Sequence, residues 1–236
     1  MPVFDHPLQD AATAATLNRQ LEQRSADEIV QWATQEFRGQ IALTCSFGGP
    51  SGMVLLDLAL RRDRDIPVLV LDTGVLFPET DALVIAIEQH YGISVERVRP
   101  ALTLAQQANL HGAELYNHNP DLCCKIRKVE PLNQALKPYG AWMTALRRDQ
   151  SATRANTPIA SWNERQQLVK ICPLAQWTER ETWRYIHANG VPYNSLLDQG
   201  YTSLGCTPCT RQPLSADDAR SGRWVGFAKT ECGLHM

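Results

Sequence analysis

Apolar residues recur along this chain in two alternating rhythms. Between Asp10 and Gln23, Leu17 and Leu21 stand four apart, and after Ser25 the residues Ile29, Trp32, Ala33 and Phe37 fall on one face of a second helix. Ser25-Ala26-Asp27-Glu28 has the form of a capping box that opens this helix, and Gly39 closes it. The rhythm then changes. Gln40 to Cys45 is a short apolar run that reads as a buried strand, Ser46-Phe47-Gly48-Gly49-Pro50-Ser51-Gly52 is a glycine-rich turn, and Met53 to Arg61 is helical. Pro67 to Leu71 begins the same cycle again, with Asp72-Thr73-Gly74 at its end, a helix from Pro78 to about Tyr91 and a third strand from Ile93 to Val98. A helix around Leu102 to Asn109 follows. The polar, irregular segment His111 to Asp121 then delivers Cys123-Cys124 to the start of a helix spanning Lys125 to Leu136. Ala141 to Leu146 predicts a fourth strand and Leu168 to Ile171 a fifth. Thr178-Glu179-Arg180-Glu181 caps a last helix, through Trp183 and Ile186 to Gly190. From Val191 onward proline, glycine and polar residues dominate.

Strands alternating with helices predict parallel βαβ units, hence an α/β fold with a doubly wound, mainly parallel sheet. Ligands of such sheets bind beyond the carboxyl ends of the strands, where both the Ser46 turn and Asp72-Thr73-Gly74 fall. A strand, a glycine-rich turn and a helix N-terminus together suit a phosphate group. The expected organisation is one α/β domain over residues 1–225, with its ligand site at that edge, and a C-terminal tail over residues 226–236.

Composition narrows the class. Of 236 residues 44% are hydrophobic, enough for a sizeable core, and the formal net charge of -2 offers no global basic field for nucleic acid or an anionic membrane. Any anion site must therefore be a local cluster of Lys and Arg. The opening Met1-Pro2-Val3-Phe4-Asp5 lacks the basic flank and apolar run of a signal peptide, and no run approaches a membrane span, so a cytoplasmic location is expected. In that setting seven cysteines point to metal or thiol chemistry over a disulfide framework.

Cys206-x-x-Cys209 puts two sulfurs within reach of one metal centre, and Cys123-Cys124 is the evident second pair. Adjacent cysteines diverge in an extended chain and suit a single zinc ion poorly. A four-iron cluster offers a separate iron to each sulfur. The alternative is a reduced thioredoxin-like pair at Cys206 and Cys209, with Cys123 and Cys124 unrelated. Arg147, Arg148 and Arg154 after the fourth strand, Arg220 with Arg223 in the loop-rich region, and Lys128 one turn after Cys124 can supply positive charge for phosphate or sulfate oxygens. Cys45 and Cys172, each ending a predicted strand, read as core residues, and His6, His90, His111, His118 and His187 show no ligand spacing. Cys232, so near the end of the chain, reads either as a mobile, reactive thiol or as an incidental cysteine on a frayed end, and the tail by itself favours the second. Neighbouring Glu231 would disfavour its thiolate, while a protonated His235 or a cationic pocket would favour it.

These motifs together resemble the assimilatory sulfonucleotide reductases, specifically the cluster-containing adenylyl-sulfate (APS) reductases. The similarity runs from about Ser46 to His235 through Ser46-Phe47-Gly48-Gly49, Leu71-Asp72-Thr73-Gly74, Cys123-Cys124, Arg147-Arg148-Asp149-Gln150-Ser151 with Thr153-Arg154, Asp198-Gln199-Gly200-Tyr201, Cys206-Thr207-Pro208-Cys209, Gly222-Arg223-Trp224 and Glu231-Cys232-Gly233-Leu234-His235. The resemblance implies a fold of the adenine-nucleotide alpha-hydrolase (PP-loop) type. It implies one four-iron four-sulfur cluster on Cys123, Cys124, Cys206 and Cys209, and Cys232 as the nucleophile that takes the sulfonate from APS. Thioredoxin or a glutaredoxin-like dithiol protein would then release sulfite. Lys128, Arg220 and Arg223 would face the phosphosulfate, with Ser46, Phe47, Gly48, Asp72, Thr73, Arg147, Arg148 and His235 completing the substrate site. Neither nucleic acid nor membrane is an expected partner, and a homo-oligomer is the expected assembly. Two competing assignments are a reductase for 3'-phosphoadenylyl sulfate (PAPS) and a non-enzymatic iron-sulfur redox sensor. The chain departs from the family pattern at Pro50-Ser51, where an acidic pair is common, and at Ala145, where glycine is usual.

Overall fold

The computed structural model describes residues 7–215 and 218–235, so Met1–Asp5 and His6 lie outside it. Two helices, α1 (Ala11–Leu21) and α2 (Ala26–Glu36), precede the sheet. The Ser25–Glu28 capping box forms in both directions, satisfying N–H groups that the first turn of α2 leaves without partners. Strand β1 (Ile41–Thr44) leads into α3 (Pro50–Arg62), β2 (Val68–Leu71) into α4 (Pro78–Tyr91), and β3 (Val95–Val98) into α5 (Leu104–His111). Helix α3 begins three residues before the predicted Met53, because Pro50 at the first helical position brings a pre-set φ and no N–H to satisfy.

The segment read as irregular contains two short helices, α6 (Leu115–His118) and α7 (Pro120–Cys124). Helix α7 continues without a break through a wide π-helical turn, Lys125–Val129, into α8 (Glu130–Ala135). Cys123 and Cys124 therefore sit in the last turn of a helix and not before its start. Pro120 in the first turn of α7 and Asn119, whose side chain caps Leu122, explain why the helix opens early. The remaining elements are β4 (Ala141–Met143), β5 (Ala160–Asn163), β6 (Leu168–Ile171) and α9 (Glu179–Asn189). Gly190, at φ 62, closes α9 in the left-handed conformation that glycine adopts without a Cβ penalty.

Among the described residues the strands form one six-stranded sheet in the order β3-β2-β1-β4-β6-β5. All pairings are parallel except β5 with β6, and β5 is an edge strand that the apolar pattern did not announce. Its residues Ser161, Trp162 and Asn163 are only half-buried, as suits an edge. The core splits by strand alternation. Ile41, Leu43, Val68, Val70, Met143 and Ile171 face α2, α3, α4 and α9, whereas Ala42, Leu69, Trp142 and Leu168 face Leu132 of α8. Leu234 from the tail packs on this second layer. The chain winds outward from β1 to β3 and returns on the other flank as β4. Beyond the carboxyl ends of β1 and β4 lies the switch point, where such sheets take ligands.

Candidate active site

A cavity of about 300 Å³ opens at that switch point. Its floor is the turn after β1 and the start of α3: Ser46, Gly48, Gly49, Pro50, Ser51 and Gly52. Gly49 at the N-cap of α3 supplies no capping side chain, so first-turn N–H groups remain for an anionic ligand. Phe47 holds the turn with φ 52 and a fully buried ring, and its carbonyl accepts from Nδ2 of the buried Asn194 at 3.0 Å. Gly48 lies so close to Leu204 that an added Cβ would stand 3.0 Å from the Leu204 Cβ, which is why this position requires glycine.

Cations gather at the same cavity. Lys128, Arg147, Arg154, Arg220 and Arg223 all line the cavity. Arg147 is buried, and its guanidinium donates to the Ser51 hydroxyl and to Asp149 at 2.8 Å. Ser51, where the family commonly has an acid, thus serves as an acceptor for Arg147. Arg223 stacks 4.4 Å over the Trp224 ring and donates to the Leu204 carbonyl at 3.3 Å. A side chain at Gly205 would run into its guanidinium. Burial opposes the charge on Lys128, but Cys206, Cys232 and Cys124 outweigh it and hold its ammonium above the ordinary lysine range.

Three expected site residues stand apart from the cavity lining. Phe47 is turned into the core by the geometry just described. Asp72 bends back at the end of β2 to accept from Gly74 N at 3.1 Å and from Arg99 at 3.0 Å. Arg148, which opens a short 3-10 turn (Arg148–Gln150), lies outside the cavity lining and pairs with Glu22 while donating to the Thr157 carbonyl at 2.9 Å. Ser46, Gly48, Thr73, Lys128, Arg147, Arg220, Arg223, Cys232 and His235 are brought together.

The tail lies in the cavity. Cys232 is half-buried and within electrostatic reach of Lys128 and Arg220. Arg165 donates to the Gly233 carbonyl at 3.0 Å, Lys170 to the His235 carbonyl at 3.4 Å, and the His235 ring stacks on Trp142 with centroids 5.3 Å apart. Burial, then Lys170, Arg154 and Arg220, push the His235 imidazole well below its ordinary value. The ring is therefore neutral at pH 7 in this docked state and cannot be the cation beside Cys232 that its sequence position suggested.

Cys123, Cys124, Cys206 and Cys209 line a second, small cavity with Tyr116, Arg127 and Lys128, separated from the first by Lys128. Burial opposes the Cys206 thiolate, yet Lys128, the Thr73 hydroxyl 3.3 Å away and Arg223 together bring that thiol below its ordinary value. Cys123 and Cys124 are raised, chiefly by burial, and Cys209 is pushed up to about 11 by burial and then by Cys206. Among the described residues no three Cys, His, Asp or Glu side chains converge on a single-ion position. Four thiols around one space, with two cations against it, fit a larger centre that offers each sulfur its own metal atom. Cys45 and Cys172 are buried away from this group, their thiols pushed up by burial to about 12 and about 11.

Residues 40–212 match the model of the phosphoadenosine phosphosulfate reductase domain. This chain belongs to that family. An adenosine 5'-phosphosulfate reductase of Shouchella clausii is 44% identical over 96% of this chain and 94% of its own length. A phosphoadenylyl-sulfate reductase of Candida auris, whose crystal structure holds phosphate, is 30% identical with a TM-score of 0.75, covering 86% of this chain and 98% of that one. An FMN adenylyltransferase of Candida glabrata, complexed with FAD and pyrophosphate, shares the fold at a TM-score of 0.59, 14% identity and coverage of 85% and 73%. Apart from β5, α6 and α7, the sheet and helices are those expected from the alternation of apolar runs. Some residues of the cavity and of its supports gave no signal in the sequence. Trp142 sits inside a strand like any core residue, Lys170 alternates within β6, and Asn194 is one polar residue in a loop.

Proposed function

We propose that this chain reduces adenylyl sulfate to sulfite and AMP, with a thioredoxin-type dithiol as reductant. The observation that carries this reading is that Cys232, from the end of the chain, shares one cavity with the glycine-rich turn, Lys128 and Arg223. The Cys232 thiolate attacks the substrate sulfur, forming an S–S bond while the S–O bond to the phosphate breaks and its electron pair leaves with AMP. A dithiol then attacks Cys232 Sγ, sulfite departs with the bonding pair, and the second thiol of the partner resolves the mixed disulfide. Two electrons pass from the dithiol to the sulfonate.

In this mechanism Arg147 lines the nucleotide site, and the first-turn N–H groups of α3 with Lys128, Arg220 and Arg223 face the phosphosulfate, whose one phosphate leaves with AMP. Their charge offsets the repulsion between a thiolate and a dianionic substrate and favours the developing charge on AMP. Cys123, Cys124, Cys206 and Cys209 would hold a four-iron four-sulfur cluster. When bound, it supplies a fixed electrostatic environment beside Lys128. Thr73 and Lys128 each face both the cluster cysteines and the nucleotide cavity.

Mixing the protein with APS in the absence of any dithiol is the direct test. Intact mass spectrometry is expected to find a sulfonate adduct on wild type and none on Cys232→Ser, and an unmodified wild type would overturn the assignment. Relatives named as reductases of adenosine 5'-phosphosulfate favour APS over PAPS as substrate. A kcat/KM higher for PAPS would reverse that preference.

A further inference from the structure

Glu231 stands out in the docked tail because its charge, next to the nucleophile and facing an anionic substrate, should hinder the reaction. The structure cancels it. Arg154 donates to both carboxylate oxygens, from Nε at 2.8 Å and from Nη2 at 2.7 Å. Arg220 reaches Oε2 at 3.3 Å with the same nitrogen that donates to the Thr230 carbonyl at 2.9 Å. The Thr153 hydroxyl adds a longer contact at 3.4 Å, and Gln150 Oε1 accepts from Arg154 at 2.6 Å, fixing the guanidinium. The three charged side chains are only 11%, 14% and 18% exposed, so the pair is shielded from water and from salt. Burial works against the Glu231 carboxylate, but Arg154 and Arg220 hold it below the ordinary carboxylate range.

Of the other polar holds on the tail, Arg165 on the Gly233 carbonyl and Lys170 on the His235 carbonyl use backbone acceptors that any sequence would offer, and Lys229 pairs with the exposed Asp121 away from the cavity lining. Across residues 230–235 Glu231 is the only anionic side chain, and it pairs with two arginines of the cavity lining. We infer that Glu231 is a positioning residue: its bidentate clamp on Arg154, reinforced by Arg220, seats the tail and sets Cys232 over the substrate site. The two arginines thereby serve the arrival of the nucleophile. This role rests on Cys232 being the nucleophile. It also explains how a carboxylate can stand beside a reacting thiol without repelling the substrate, since docking neutralises it at the moment Cys232 arrives.

Three measurements on the full chain test the clamp: release of C-terminal residues by carboxypeptidase, equilibrium binding of AMP, and the single-turnover rate of Cys232 S-sulfonate formation from APS. Glu231→Gln keeps the shape and removes the charge. It is expected to speed trimming and slow S-sulfonate formation by about tenfold each, leaving AMP affinity unchanged within about twofold. Arg154→Glu should show the same trimming defect, and combining it with Glu231→Arg should recover part of the loss, which a general structural defect would not do. An unchanged trimming rate in Glu231→Gln would overturn the proposal. So would AMP binding weakened by the same factor as S-sulfonate formation. If wild type forms no S-sulfonate, the reaction proposed above falls, while the trimming comparison still decides for or against the clamp.

Discussion

Phe47 and Asn194 show how one unusual backbone conformation shapes a ligand site. A bulky residue in the left-handed region costs about 1–2 kcal/mol, and here it turns the chain so that Gly48 and Gly49 face the cavity. Asn194 offsets part of that cost by donating from Nδ2 to the Phe47 carbonyl and to Thr80 Oγ1 at 3.2 Å, while its own oxygen accepts from Leu196 N at 3.1 Å. Asn194→Ala leaves these buried groups unpaired. It should lower stability by about 1–3 kcal/mol in urea titration and weaken AMP binding several-fold by calorimetry. His235 gives a prediction in pH. Its docked imidazole is held well below 6.5 by burial and by Lys170, Arg154 and Arg220, so the undocked tail binds the proton more readily. Docking is therefore strongest above about pH 6.5 and weakens as the pH falls below it. Carboxypeptidase trimming of the tail, normalised to a free peptide, should accelerate between pH 6.5 and 5 in wild type and lose that dependence in His235→Phe.

Helices are tied to one another by polar contacts that no single helix reveals. Asp57 of α3 is buried and accepts from the Tyr91 hydroxyl at the end of α4 at 2.9 Å and from the Tyr185 hydroxyl of α9 at 2.5 Å, with Arg61 at 2.9 Å. Burial and the Asp57 carboxylate raise both phenols above their ordinary range, so they remain donors throughout the physiological range. Asp57→Ala strands two tyrosine hydroxyls and should cost about 2–4 kcal/mol, read as a lower urea midpoint with an unchanged slope and an unchanged affinity for AMP. The continuous run from α7 to α8 is a second case. Its π-helical turn lies directly after Cys124 and holds Arg127 and Lys128 buried toward the small cavity. Arg127 is fixed there by the Thr73 carbonyl at 2.5 Å and Gln107 Oε1 at 3.1 Å. Periodicity places a helix across Lys125 to Leu136, but not the wide turn within it, whose Arg127 is held by the Thr73 carbonyl more than fifty residues away in sequence.

The C-terminal third joins the sheet to the tail. Thr207 N donates to the Val75 carbonyl at 2.9 Å, Leu204 presses on Gly48, and Trp224 is surrounded by Arg223, Lys229 and Arg220. Cys206 and Cys209 of this region meet Cys123 and Cys124 of α7 across one space. A centre bound to all four would cross-link distant parts of the chain. Removing iron with a chelator should lower Tm by about 5–10 °C, and Cys45→Ala, outside the cysteine group, should retain the visible absorbance that Cys209→Ala loses. Among the described residues no helix is long and apolar enough to cross a membrane.

Alternating apolar runs, capping boxes and glycine turns are local signals, each expressed within a few residues by backbone geometry and burial. They sufficed for β1 to β4, for β6 and for the longer helices between them, but not for α6 and α7, and the residues around Ser46, Cys123, Cys206 and Cys232 were legible as candidate chemistry because of the glycine and paired-cysteine motifs they stand in. Strand β5 was not legible, since an edge strand buries one face only and carries little apolar signal. That Arg147 enters the cavity and Arg148 leaves it, that Ser51 and Asn194 act as supports, and that His235 is buried neutral on Trp142 were decided by tertiary structure alone. Each depends on which distant group lies opposite, and burial together with neighbouring charge, properties of the folded surroundings, sets the outcome. The tail shows both sides. Its motif, through the family resemblance, points to Cys232 as the proposed nucleophile, but only the folded chain brings Arg154 and Arg220 to Glu231 and places Cys232 in the cavity.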